Sequence, residues 1–112
     1  MGWKTQRPGY KLMILLAEYD SWVIGSAAAP DCDYATVRDF DIIIPWEKWD
    51  TAVNVILRFA TQVKANSFGG WKVYIDEDEL DIWPGTLQTI LARPQFSNYA
   101  WHPKSDTRIQ KL

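Results

Sequence analysis

The chain carries a single cysteine, Cys32, and a single histidine, His102. One cysteine excludes an intrachain disulfide and a cysteine-based metal site, and it suits a reducing compartment. No histidine stands near Cys32 in the sequence, so a free thiol is expected rather than a Cys–His nucleophile. A surplus of one charge is also missing. Twelve basic and fourteen acidic residues leave a net charge of −2, which removes the global electrostatic case for a nucleic-acid binder. Long hydrophobic runs are absent too. The apolar stretch inside "YKLMILLAEYD" covers about seven residues and meets Glu18. It shows no small-residue cleavage pattern, so neither a signal peptide nor a membrane span is expected, and a cytoplasmic protein is. With no repeat, linker or low-complexity segment, residues 1–112 read as one domain, able to bury about 60–70% of its unfolded surface.

What the chain does have is tryptophan, seven in 112 residues. Indoles supply core bulk, and in strands they can also serve as stacking platforms, a choice that Trp71, Trp83 and Trp101 leave open with packing favoured. The pattern of elements is mixed. "YKLMILLAEYD" (10–20) has the composition of a buried helix, and "SWVIG" (21–25) that of a short strand closed by glycine. Ser26 and the alanines after it can form a short helical turn before Pro30. "RDFDIII" (38–44) reads as a second strand stopped by Pro45. From 46 to 63, Trp46, Trp49, Val53, Ile56, Ala60 and Val63 recur at steps of three and four, which predicts an amphipathic helix over the whole stretch. "WKVYID" and "ELDIWP" flank Glu77 and Asp78 as an antiparallel hairpin, with "DEDE" (76–79) expected as a solvated tip. "GTLQTILARP" predicts a short helix capped by Thr86 and ended by Pro94. The remainder offers a candidate strand near Tyr99–Trp101, a "HPKSD" turn in which His102 is expected at the surface rather than as a general base, and a solvated basic end. The order predicts an α/β (α+β) fold, a small mixed β-sheet with helices packed on it.

The chemistry lies in the strands. In "VRDFDIIIP", Asp39 and Asp41 stand two apart, so in a strand both carboxylates share a face that is otherwise apolar. Asp81 repeats the oddity inside "ELDIWP". If the two strands are neighbours, Asp39, Asp41 and Asp81 converge on one rim. Clustered carboxylates repel one another, and a hard divalent cation held by oxygen ligands and substrate phosphates resolves the repulsion. The upstream "VIGS" adds Gly25 and Ser26 at a strand end, where a glycine allows close backbone approach and serves equally well as a plain turn. D-x-D by itself also occurs on ordinary solvated strands.

Together these residues resemble the nucleotidyltransferase fold of the polymerase β type, whose pattern is a Gly-Gly or Gly-Ser turn, a D-x-D strand and a third acid on a later strand. The chain is most similar to the head domain of tRNA CCA-adding enzymes and bacterial poly(A) polymerases, and also resembles small nucleotidyltransferases of toxin–antitoxin systems. "VIGSAAAPDCDYATVRDFDIII" is similar to the segment from the glycines to the acidic strand, with Asp39 thirteen positions after Ser26. "ELDIWPGTLQTILARPQFSNYAWHPKSDTRI" resembles the later portion, so the likeness spans about residues 20–109.

The resemblance implies a minimal nucleotidyltransferase fold and a Mg²⁺- or Mn²⁺-dependent transfer of a nucleoside monophosphate from an NTP to a hydroxyl on an RNA end, a protein or a small molecule. Asp39, Asp41 and Asp81 would be the catalytic and metal-binding acids, with Gly25, Ser26 and Arg93 binding the nucleotide. The chain departs from the pattern in two places. Ala29 and Pro30 stand where the family has an Arg-Asp pair, and "RPQFS" with Asn98 replaces its R-R-D-F-T-type motif. A chain stopping where the family continues into helical domains would leave an open site, to be completed by a second copy or a protein partner. The alternative is a catalytically silent binding or regulatory protein on the same fold, of phage or toxin–antitoxin type, or an interaction domain in which D-x-D is incidental.

Overall fold

The computed structural model describes residues 7–37, 39–92 and 99–110. Helix α1 (Pro8–Leu15) runs into a 3₁₀ turn (Leu16–Tyr19), and strand β1 (Trp22–Ile24) into a second one (Gly25–Ala28). An irregular segment then leads to β2 (Asp39–Ile44) and the long helix α2 (Trp46–Phe59). Strands β3 (Gln62–Ala65), β4 (Trp71–Ile75) and β5 (Asp78–Pro84) follow, then α3 (Leu87–Ala92), β6 (Tyr99–His102) and β7 (Thr107–Gln110).

The seven strands of the described residues form one mixed sheet in the order β3-β4-β5-β2-β1-β6-β7. The class is α+β as expected, but the sheet is larger than the small one anticipated. Two strands account for the difference. The 3.6-residue period predicted helix through Val63, yet α2 stops at Phe59. Ala60 turns extended, and the Thr61 amide donates to Tyr74 O at 2.8 Å, which starts the β3–β4 pairing. The basic end expected as a solvated tail is β7, paired with β6 through the 103–106 turn.

The apolar stripe of α2 keeps Trp49, Ile56 and Ala60 of the predicted one and departs from it at Trp46 and Val53. Ala52 and Ile56 are buried, with Trp49 and Val55 packing beside them, while Trp46 at the helix start is 64% exposed. Thr86 does cap α3, accepting from the Thr89 amide at 3.3 Å, whereas Pro94 lies outside the described residues.

Strand alternation gives the sheet two unlike faces. Phe40, Ile42, Ile44, Leu80, Ile82, Val73 and Val23 point to one face and meet Leu12, Met13, Leu16, Ala52 and Ile56 in the main core. The opposite face is apolar only in part, where Ile24, Ile43 and Ala100 are covered by Trp22, Trp83 and Leu87. Across β2, β5 and β4 that face carries Asp39, Asp41, Glu79, Asp81 and Lys72. Trp71 packs edge-on against Trp49, and the indoles of Trp83 and Trp101 donate to Ser67 O and Asp106 Oδ1, so all three are half-buried packing residues. Among the described residues, no helix is long and apolar enough to cross a membrane.

Candidate functional site

Strands β2 and β5 lie side by side and parallel, in a register that sets Asp41 opposite Asp81 and Asp39 opposite Glu79. Neighbouring strands sit about 4.8 Å apart, so registered residues share a face and adjoin. The structure therefore brings Asp39, Asp41 and Asp81 onto one face, as the spacing predicted, and adds Glu79 as a fourth carboxylate. Their positions follow from the residues between them. Phe40, Ile42, Leu80 and Ile82 are wholly buried on the core face and force the alternate positions outward.

Asp41 is the least comfortable of the four. Burial first, then the Asp81 and Asp39 carboxylates, push its carboxyl from 3.8 up to about 7, with Lys72 pulling it back. Gly25 is the residue that makes room for it. Its φ is +78°, and a Cβ placed there would lie 2.7 Å from Asp41 Oδ2, so any side chain would be strained in backbone and blocked in space. The glycine of the "VIGS" turn thus belongs to the Asp41 environment. Ser26 and the acids Asp39 and Asp41 line one open cleft of about 560 Å³, together with Asp31, Asp33 and Thr36 from the irregular segment before β2.

Lys72 was not anticipated. It lies opposite Asp81 on β4, its Nζ 2.8 Å from Glu79 Oε2 and 3.6 Å from Asp81 Oδ2. The hydrogen bond to Glu79, seconded by Asp81, raises the ammonium pKa against the opposing effect of burial, so Lys72 stays charged. Asn66 adds an Nδ2 donor 3.5 Å from Asp81 Oδ1. A signal for Lys72 existed: in the "WKVYID" and "ELDIWP" hairpin, alternation places it on the face of Asp81.

Two further expectations change. The "DEDE" tip is not uniformly solvated, because Asp78 is buried, receiving Arg7 Nη2 at 2.5 Å and the Gly9 amide at 2.8 Å. His102 is not a free surface imidazole. It packs on Trp22 and shares a 2.7 Å hydrogen bond between Nδ1 and Ser105 Oγ. Arg93, Phe96, Ser97 and Asn98 lie outside the described residues. Among the described residues, no group of three or more His, Cys, Asp or Glu side chains is placed to hold a metal ion. No protein-family model, curated protein or solved structure matches the chain.

Proposed function

We propose that the protein is nucleotidyltransferase-like, transferring a nucleoside monophosphate from an NTP to a hydroxyl of an RNA end, a protein or a small molecule. One observation carries the reading: the parallel β2–β5 register puts Asp41 against Asp81 on the face opposite the main core, beside the Gly25–Ser26 turn. The donor set fits a hard cation held by few protein ligands. Mg²⁺ commonly rests on one or two carboxylates and completes its shell with water and phosphate oxygens. Asp39 and Asp41 are the pair for that role, since they face the cleft and Asp41 lies in a cluster of negative charge. When bound, Mg²⁺ or Mn²⁺ would supply charge neutralisation at the phosphates.

The remaining roles belong to the chain itself. Asp81, next to Asp41, would accept the proton of the attacking hydroxyl. The Gly25 backbone and the Ser26 hydroxyl would hold phosphate oxygens, and Arg93 is assigned to the nucleotide by the resemblance alone. The wide cleft suits a second copy or a protein partner as its cover. Free NTP, Mg²⁺ and a reduced Cys32 point to the cytoplasm as the setting.

One observation favours the catalytically silent alternative. The Lys72 ammonium already pairs with Glu79 and Asp81 and so offers the site a resident cation. Calorimetry separates the readings. The transferase reading expects NTP binding that requires Mg²⁺ or Mn²⁺ and is lost in Asp39→Asn and Asp41→Asn, with pyrophosphate release lost in Asp81→Asn. Binding of equal strength without metal would defeat it. NTP binding with no pyrophosphate release, in the original chain and in Lys72→Met alike, would establish the silent one.

A further inference from the structure

We propose that Arg7 is a positioning residue for the cleft, its guanidinium clamping the segment 29–37 that forms the cleft wall facing Asp39 and Asp41. The value of this clamp to function rests on the reading of the cleft given above; the clamp itself rests on the contacts alone. Residues 29–37 contain no strand or helix, and their internal bonds are short-range. Cys32 donates to Ala29 O, and the Thr36 and Val37 amides both donate to Asp33 O. Such turns fix local shape but not position on the sheet.

Position comes from outside the segment. Arg7 Nη1 donates to Tyr34 O at 2.6 Å and to Val37 O at 2.7 Å. The same guanidinium is fixed in orientation by Asp78 Oδ1 at 2.5 Å and lies 5.3 Å from the centre of the Phe40 ring. Asp78 is held in turn by the Gly9 amide at the start of α1. Helix α1, strand β5 and the wall therefore meet at one side chain. Arginine suits the task because its planar fork presents several donors at fixed angles, whereas a lysine ammonium is a point charge on a flexible stem.

The wall needs such a tie because it is thin. Thr36, Val37 and Asp39 line the 560 Å³ cleft on one side and also a second opening of about 400 Å³ on the other, which Arg7 and Asp78 share. Val37 is buried in the main core, Cys32 and Tyr34 pack against it, and the Tyr34 hydroxyl donates to Ala27 O at 2.9 Å, but the cleft-lining Asp31, Asp33 and Thr36 are exposed, so loss of the guanidinium frees the backbone between the Tyr34 and Val37 carbonyls to move relative to Asp39. Exposed stretches between such anchors open locally at low cost.

The test is hydrogen exchange on the whole chain, comparing the amides of Cys32, Ala35, Thr36 and Val37 with core amides of Ile42 and Ile82. Arg7→Gln is expected to speed the wall amides roughly tenfold or more while the core amides change little. Arg7→Lys keeps a charge but has one nitrogen, which cannot occupy both the Nη1 position between the two carbonyls and the Nη2 position on Asp78, so its wall amides should also exchange fast; it provides the comparison if Arg7→Gln does not fold. Wall amides that accelerate only in step with the core, or an Arg7→Lys chain as protected as the original, would overturn the proposal. Mn²⁺ titration of the same proteins separates the two ideas. Weaker binding in Arg7→Lys links the clamp to the cleft. An original chain that binds no Mn²⁺ defeats the reading of the cleft while exchange still decides the clamp.

Discussion

Replacing Asp41 by asparagine should make the protein more stable at alkaline pH. In the unfolded chain this carboxyl ionises near 3.8, and in the fold near 7, chiefly because of burial and the Asp81 and Asp39 charges. Between those values the folded state keeps a proton that the unfolded state has lost. Raising the pH through the window therefore costs stability, and above about 7 the loss is complete. At about 1.4 kcal/mol per pH unit, the interval sets a ceiling of about 4 kcal/mol, and water reaching the half-buried carboxylate brings the expected figure to about 2 kcal/mol. Asparagine has nearly the shape of the protonated acid and never ionises. Urea denaturation at pH 5 and pH 8 is the assay. At pH 5 a little over a third of the loss is already present, so Asp41→Asn should lead by well under half of its pH 8 margin, and at pH 8 it should unfold at about 1–2 M higher urea. Added Mg²⁺ or Mn²⁺ should narrow the gap at pH 8 by stabilising the original chain alone. An Asp41→Asn protein no more stable than the original at pH 8 would refute the reasoning, because the carboxylate would then carry no uncompensated repulsion.

Two other substitutions probe the same architecture. Gly25→Ala combines a positive φ with a Cβ 2.7 Å from Asp41 Oδ2, and should cost about 1–3 kcal/mol in chemical denaturation. Adding Asp41→Ala should recover the steric part and leave the backbone part; no recovery would show that the two residues do not meet. Phe40 is fully buried between the acids and also lies beneath Arg7, so Phe40→Ala should cost about 3–5 kcal/mol by the same assay. A loss under 1 kcal/mol would mean that the strand is not anchored at that ring.

The sequence carried the alternation of Asp39, Phe40, Asp41 and Ile42, and with it the two-faced character of β2. It also carried the hairpin of β4 and β5, since two β-branched and aromatic runs flank an acidic turn. It misled at α2, where Ala60 and Val63 continue the helical period. There a Thr61–Tyr74 backbone bond decides for strand, and nothing local announces a bond to a residue 13 positions away. Asp78 misled for a related reason. Acids at a hairpin tip are usually solvated, and Arg7, 71 residues earlier, is what makes this one a buried anchor.

By itself, then, the sequence determined which residues form strands with one acidic and one apolar face, because side-chain alternation is a local property of extended backbone. Only the tertiary structure decided that β2 and β5 are parallel neighbours in a register that sets carboxylate beside carboxylate. Only it placed Lys72 among them and Gly25 against Asp41. Strand order and register depend on the packing of residues far apart in the chain, and the charge state of Asp41 depends on both. The acids of "VRDFDIIIP" are written in the sequence, while the field they share is a property of the fold.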